Sequence, residues 1–183
     1  LPRSSLSVSM WLRSSDVTSS GILVSFAGPA GGNNNSNRSG KATDPFEYEF
    51  ALFDQRSLRI LIKDRTDGTW RIPALDTGIS FNDGEWNHLV VTWVSVSGHT
   101  RLFKNGASVF DSEISGGAPY KKGEQLAAKG RIALGQGILQ AEKLVFSPQN
   151  GFVGEIQNFR VYRRDISKDS AIASDMLWPF QSG

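Results

Sequence analysis

Eleven residues, DGEWNHLVVTW (Asp83–Trp93), gather two tryptophans, an asparagine, two carboxylates and His88, one of the two histidines in the chain. An imidazole within reach of a carboxylate is the material of general acid–base catalysis and, with further ligands, of a zinc site. The other histidine, His99, follows Gly98 in a predicted turn, with no second histidine beside it to share zinc. Glu47 and Glu49 are two apart, so a strand places both on one face; without a third acidic partner they read as a solvated face. The chain has no cysteine, which excludes disulfides and thiolate chemistry. It also has no Gly-x-Ser-x-Gly elbow and no glycine-rich phosphate loop. What His88 can do therefore depends on the element that carries it.

That element reads as a strand. Trp86, His88, Val90 and Thr92 fall on one face, and Asn87, Leu89, Val91 and Trp93 on the other. Apolar groups on both faces mark a central strand of two packed sheets. Leu6, Val8, Met10 and Leu12 alternate with polar residues and predict a half-buried strand. Strands are also predicted over Gly21–Ala27, Phe46–Leu52, Leu58–Ile62, Gly68–Leu75, Thr100–Lys104, Ala107–Ile114, Arg131–Gln136 and Phe152–Tyr162. Pro73 marks an edge or an end. Asn105–Gly106 predicts a type I′ hairpin turn, whose twist matches its strands. Asp165 or Ser167 is placed to cap a short C-terminal helix with Ile172 and Met176 on one face. About ten strands with almost no helix make an all-β, antiparallel sandwich.

Composition agrees with an ordinary folded domain: 183 residues, 39% hydrophobic and 21% charged. A net charge of +2 provides no strong field for nucleic acid or an anionic membrane. No apolar run approaches the roughly 18 residues of a membrane span. Leu1–Arg3 leads straight into a strand pattern with no signal peptide, so the whole chain, 1–183, is expected to be one domain excised from a larger protein. The one biased segment, Gly28–Asp44, holds no apolar side chain beyond alanine and proline and is expected to be a long exposed loop. It carries glycosylation sequons at Asn34 and Asn37.

Several blocks occur in one order: SLSVSMWLRS (Ser5–Ser14), DGEWNHLVVTW, GHTRLFKNG (Gly98–Gly106), RIALGQ (Arg131–Gln136) and GFVGEIQNFRVYRRDIS (Gly151–Ser167). This succession resembles the laminin-G-like and pentraxin-like branch of the concanavalin A-like lectin/glucanase superfamily. The resemblance implies a jelly-roll sandwich serving recognition in extracellular and cell-surface proteins, with calcium in some members. It makes the W-x-H strand architectural. Trp86 and Trp93 are then core residues, each burying about 150–250 Å², and His88 is expected buried or half-buried against backbone or a hydroxyl. The chain departs from pentraxins in lacking their cysteine pair. It also carries GILQAEK (Gly137–Lys143) where their acidic double-calcium stretch follows L-G-Q. A two-calcium site and pentameric assembly are therefore not implied.

A simpler laminin-G-type calcium site remains open at one rim. Asp44 matches its strand-head ligand, and Gln136, Gln140, Glu142, Gln149 and Asn150 offer oxygens from a facing loop; the carboxylates would be Asp44 and Glu142. The competing reading makes Asp44 a strand cap and the others solvated loop. The superfamily also includes glucanases, whose retaining members need the E-x-D-x-x-E pattern, which does not occur here. TDGTW (Thr66–Trp70) is similar to a sialidase aspartate box but lacks its intervening residue, and reads as a turn. RVYRRD (Arg160–Asp165) reads as solvated edge charge, or as a patch for an acidic partner.

The chain is expected to be a non-catalytic extracellular or cell-surface module. It would bind a glycan at the loop rim through Asn34, Asn37, Asp44, Gln136, Gln140, Gln149 and Asn150, with Phe146 as the exposed aromatic that sugar sites use. Metal-independent protein–protein adhesion is the alternative, and a targeting module attached to an enzyme ranks below it. No nucleic-acid partner is expected.

Overall fold

A computed structural model describes residues 1, 3–28, 48–66, 69–71, 74–114, 119–140, 145–146 and 148–168. The strands are β1 (Ser5–Arg13), β2 (Ile22–Ala27), β3 (Tyr48–Phe53), β4 (Arg59–Ile62), β5 (Asp64–Thr66), β6 (Thr69–Arg71) and β7 (Ala74–Asp76), followed by β8 (Asn87–Val94), β9 (His99–Lys104) and β10 (Ala107–Asp111). The last four are β11 (Arg131–Leu134), β12 (Ile138–Gln140), β13 (Val145–Phe146) and β14 (Glu155–Tyr162). One antiparallel sheet has the order β10-β9-β8-β1-β14 and faces a second of order β11-β2-β3-β4-β7. Two short ribbons, β5–β6 and β12–β13, are added to this sandwich. The all-β antiparallel sandwich expected from strand alternation is the fold.

The core lies between the sheets. Leu6, Val8, Met10 and Leu12 of β1 meet Leu89, Val91 and Trp93 of β8 and, from the other sheet, Phe26, Phe50, Leu52, Ile60 and Ile62. β8 carries the opening stretch between β1 and β9, as its two-sided apolar pattern requires. The Asn105–Gly106 turn joins β9 to β10 with Lys104 facing Ala107, and both turn residues take positive φ, 51° and 80°.

Several expectations are corrected. β1 is buried on both faces, not one: Ser7, Ser9 and Trp11 are also buried. The segment after β14 crosses this outer face, where the Ser7 hydroxyl donates to the Arg164 carbonyl at 2.6 Å and accepts from the Ile166 N–H. Ile166 there packs with Val90 and Phe103. Trp86 precedes β8 and is only half-buried, beneath the Arg13 guanidinium at 5.2 Å, so Trp93 alone of the pair joins the core. Within the strand predicted over Gly68–Leu75, the described residues fall in two short strands of different sheets, β6 beside β5 and β7 beside β4, while Gly68, Ile72 and Pro73 lie outside the described residues. At the C-terminus Asp165 accepts the Ser167 N–H at 2.9 Å, while the expected helix beyond it falls outside the described residues.

Candidate functional site

The outer face of the β11–β7 sheet carries its own apolar cluster: Ile22, Ala27, Tyr48, Ala51, Leu61 and Ile138. Ile138 arrives there on β12, so the β12–β13 ribbon lies against this face. Two local features seat it. The Ser25 hydroxyl, on the outer side of β2, donates to the Gln136 carbonyl at 2.9 Å. Gly137 sits against the Tyr48 hydroxyl and Ile22, where a Cβ would collide with both. Burial pushes the Tyr48 phenol up to about 12, so it acts as a neutral group.

The ribbon pairs Ile138 with Phe146, burying the first and leaving the second 42% exposed. A single 3₁₀ turn, Pro148–Asn150, follows, and Gly151 bridges back to Ile22. Gln136 and Gln149 are exposed and Asn150 is half-buried. The described members of the expected site thus gather on the ribbon and its return. Gln140 lies in β12 opposite Val145. Asn34, Asn37, Asp44 and Glu142 lie outside the described residues. The strand ends that flank 29–47 are Ala27 and Tyr48, cross-strand partners that share the cluster with Ile138.

The residues that looked catalytic have structural work. His88 is buried, with Nε2 at 2.9 Å from the Ser9 hydroxyl and its ring 5.2 Å from that of Trp11. Its backbone N–H donates to Asn105 Oδ1, tying β8 to the hairpin turn. Glu49 is not a freely solvated carboxylate: it lies 3.7 Å from the buried Lys121 ammonium, which also donates to the Lys63 carbonyl.

Sequence reading missed a cluster at His99. Its Nε2 lies 2.6 Å from Asp111 Oδ1 and its Nδ1 3.3 Å from Glu113 Oε1. Arg101 holds the other Asp111 oxygen at 3.0 Å and donates to the Ser167 hydroxyl. Burial alone would raise the Asp111 pKa. The hydrogen bonds from His99, Arg101 and the Glu113 N–H outweigh it and hold the carboxyl below its usual range. The two-residue turn at Asn105–Gly106 alone would set Asp111 opposite Thr100; a register shift between Ser108 and Phe110 moves it opposite Arg101, and no residue pattern signals that shift. Asp16 was likewise missed. Hydroxyls and N–H groups of Thr18 and Ser19 hold its carboxyl far below the usual range, and Gln55 and Asn82 brace the same loop.

A laminin-G-type family model, described as the Concanavalin A-like lectin/glucanases superfamily, matches residues 1–171. The chain belongs to this family. It is 26% identical over 162 residues to neuronal pentraxin-1 of Rattus norvegicus, a match covering 87% of this chain and 31% of that protein. Among solved structures, the CBM40 of the Ruminococcus gnavus IT-sialidase matches with a TM-score of 0.62 at 17% identity, covering 93% of this chain and 82% of that one. The native heptameric SAP-like pentraxin of Limulus polyphemus matches with a TM-score of 0.58 at 18% identity, covering 90% and 66%. These two likenesses establish the shared sandwich.

In this laminin-G-type chain the His99 cluster is a poor calcium site. Calcium takes six to eight oxygens, whereas this set offers an imidazole, the Asp111 carboxylate already held by Arg101, and the exposed Glu113 carboxylate. Gln136, Gln149 and Asn150 carry side-chain oxygens of the right hardness, but the carboxylates that would neutralise the ion are Asp44 and Glu142.

Proposed function

We propose that this chain is a non-catalytic recognition module of an extracellular or cell-surface protein, 1–183 forming one domain of it, and that it binds a glycan beside the β12–β13 ribbon. One observation carries the proposal: the ribbon presents an exposed aromatic, Phe146, close in sequence to the amides of Gln149 and Asn150. An aromatic face for a sugar ring and amides for its hydroxyls are the components of such sites. Asn34, Asn37, Asp44, Gln136 and Gln140 are the further contacts proposed, with calcium held by Asp44 and Glu142. The structural relative from Ruminococcus gnavus has also been solved with α2,3-sialyllactose, which supports sialylated glycans as the first class to test. The non-catalytic assignment is supported by Glu49, held by Lys121, and by the absence of the E-x-D-x-x-E pattern.

A glycan array that includes sialyllactoses, probed with and without millimolar calcium, tests this. Retention is expected, with at least a tenfold loss in Phe146→Ala and an unchanged melting temperature, because Phe146 is exposed. No retention on any glycan under either condition would overturn the proposal.

A further inference from the structure

β11 ends one sheet and β14 ends the other, and among the described residues neither outer edge pairs with another strand. Between them runs a cleft of about 380 Å³ whose lining includes Leu134, Phe152, Ile156, Asn158 and Phe159. Its β11 wall is apolar and open. Ile132 and Leu134 pair with Phe26 and Val24, so both face the inter-sheet core, yet they remain 43% and 45% exposed. Its β14 wall carries a bulge, where Asn158 and Phe159 together face Met10 and Asn158 takes a φ of 51°. The Asn158 amide Nδ2 is buried and has no acceptor among the described residues. At the head of β11 stand two exposed cations, Lys129 and Arg131, neither ion-paired with a described residue.

We propose that this cleft binds an extended polypeptide strand, apolar at alternate positions and acidic at one end, laid along the free edge of β11. An unpaired strand edge is a row of backbone donors and acceptors that another strand satisfies. Side chains of an added strand alternate between the two faces of the sheet. Those beside Ile132 and Leu134 point into the cleft, against Ile156 and Phe159, and must be apolar. Those beside Arg131 point to the outer face, where Arg131 and Lys129 call for an acid. The Asn158 amide can donate to a carbonyl of the incoming strand. β11 suits pairing better than β14, because β11 is regular along its register with β2, whereas the bulge and the neighbouring Arg163 and Arg164 blunt the edge of β14.

Fluorescence polarisation with two labelled peptides, Glu-Glu-Val-Thr-Val-Thr-Val and its reverse sequence, covers both strand directions. At least one is expected to bind. Leu134→Lys should weaken it at least tenfold, and so should Arg131→Glu. The Arg131→Glu protein should in turn prefer the peptide with lysines in place of glutamates. A peptide with prolines in place of the threonines should not bind. Both variant positions are exposed, and circular dichroism checks that the variants fold. Failure of both peptides to bind, or binding indifferent to the two variants or to the prolines, would overturn the proposal. So would a dimer in sedimentation that Leu134→Lys dissolves, since a second copy would then be the occupant.

Discussion

At the scale of single residues, the two tryptophans of the opening stretch separate by burial. Trp93 is fully buried between the sheets, and its indole N–H donates to the Tyr120 carbonyl at 2.9 Å. Truncation removes a large apolar surface, leaves a cavity and takes the donor from the Tyr120 carbonyl. Trp93→Ala is expected to destabilise the fold by about 3–5 kcal/mol. Trp86 lies half-buried outside the strand, with Arg13 over its ring and Glu155 beyond. An exposed cation–π contact contributes only about 0.5–1 kcal/mol, so Trp86→Ala should give a clearly smaller loss. Urea melts of both variants check the order; equal losses would contradict the placement of Trp86 at the rim. His88 shows the same logic. Its Nε2 meets the Ser9 hydroxyl and its ring meets Trp11, and both His88 and Ser9 are buried, which keeps a substrate away from the pair.

At the scale of elements, legibility followed how local the signal was. The alternation of Leu6, Val8, Met10 and Leu12 reported one face of β1 correctly because period two is a property of the strand itself. Burial of the other face was illegible, because it depends on Ile166 and Arg164, more than a hundred residues away. The β12–β13 ribbon was missed for a related reason: its strands are too short to show a period, and what seats it is the Ser25–Gln136 bond and the bare face of Gly137. The Asn105–Gly106 turn was fully legible, since positive φ at two successive positions selects those residue types. It also does more than reverse the chain, since Asn105 accepts the His88 N–H and donates to Asn87. Gly106→Ala forces a Cβ into the left-handed region and is expected to destabilise by about 1–2 kcal/mol. A thermal melt measures this, and an unchanged midpoint would mean the hairpin tolerates another turn geometry.

At the scale of the whole molecule, the family and the sandwich follow from block order, while the proposed binding site depends on how loops meet, which no strand period encodes. The proposed contacts Gln136, Phe146, Gln149 and Asn150 lie along one segment that Ile138 and Gly151 anchor to the sheet. The calcium proposal draws on Asp44 and Glu142, which lie outside the described residues, and its consequence appears in global stability. Asp44 and Glu142 supply a formal charge of −2, and a site with so few carboxylates belongs in the weak extracellular range of about 10⁻⁴–10⁻³ M. An ion that binds only the folded state stabilises by RT ln(1 + [Ca²⁺]/Kd), which at ten times Kd is about 1.4 kcal/mol. For a chain of 183 residues this corresponds to a rise in melting temperature of about 3–6 °C. The rise should reverse on chelation and be lost in Asp44→Ala, whereas Glu113→Ala, at the His99 cluster, should keep it. A rise that survives Asp44→Ala but is lost in Glu113→Ala would relocate the ion to the β9–β10 hairpin. No rise up to about ten times the weak extracellular range would leave glycan recognition, if the array detects it, independent of metal.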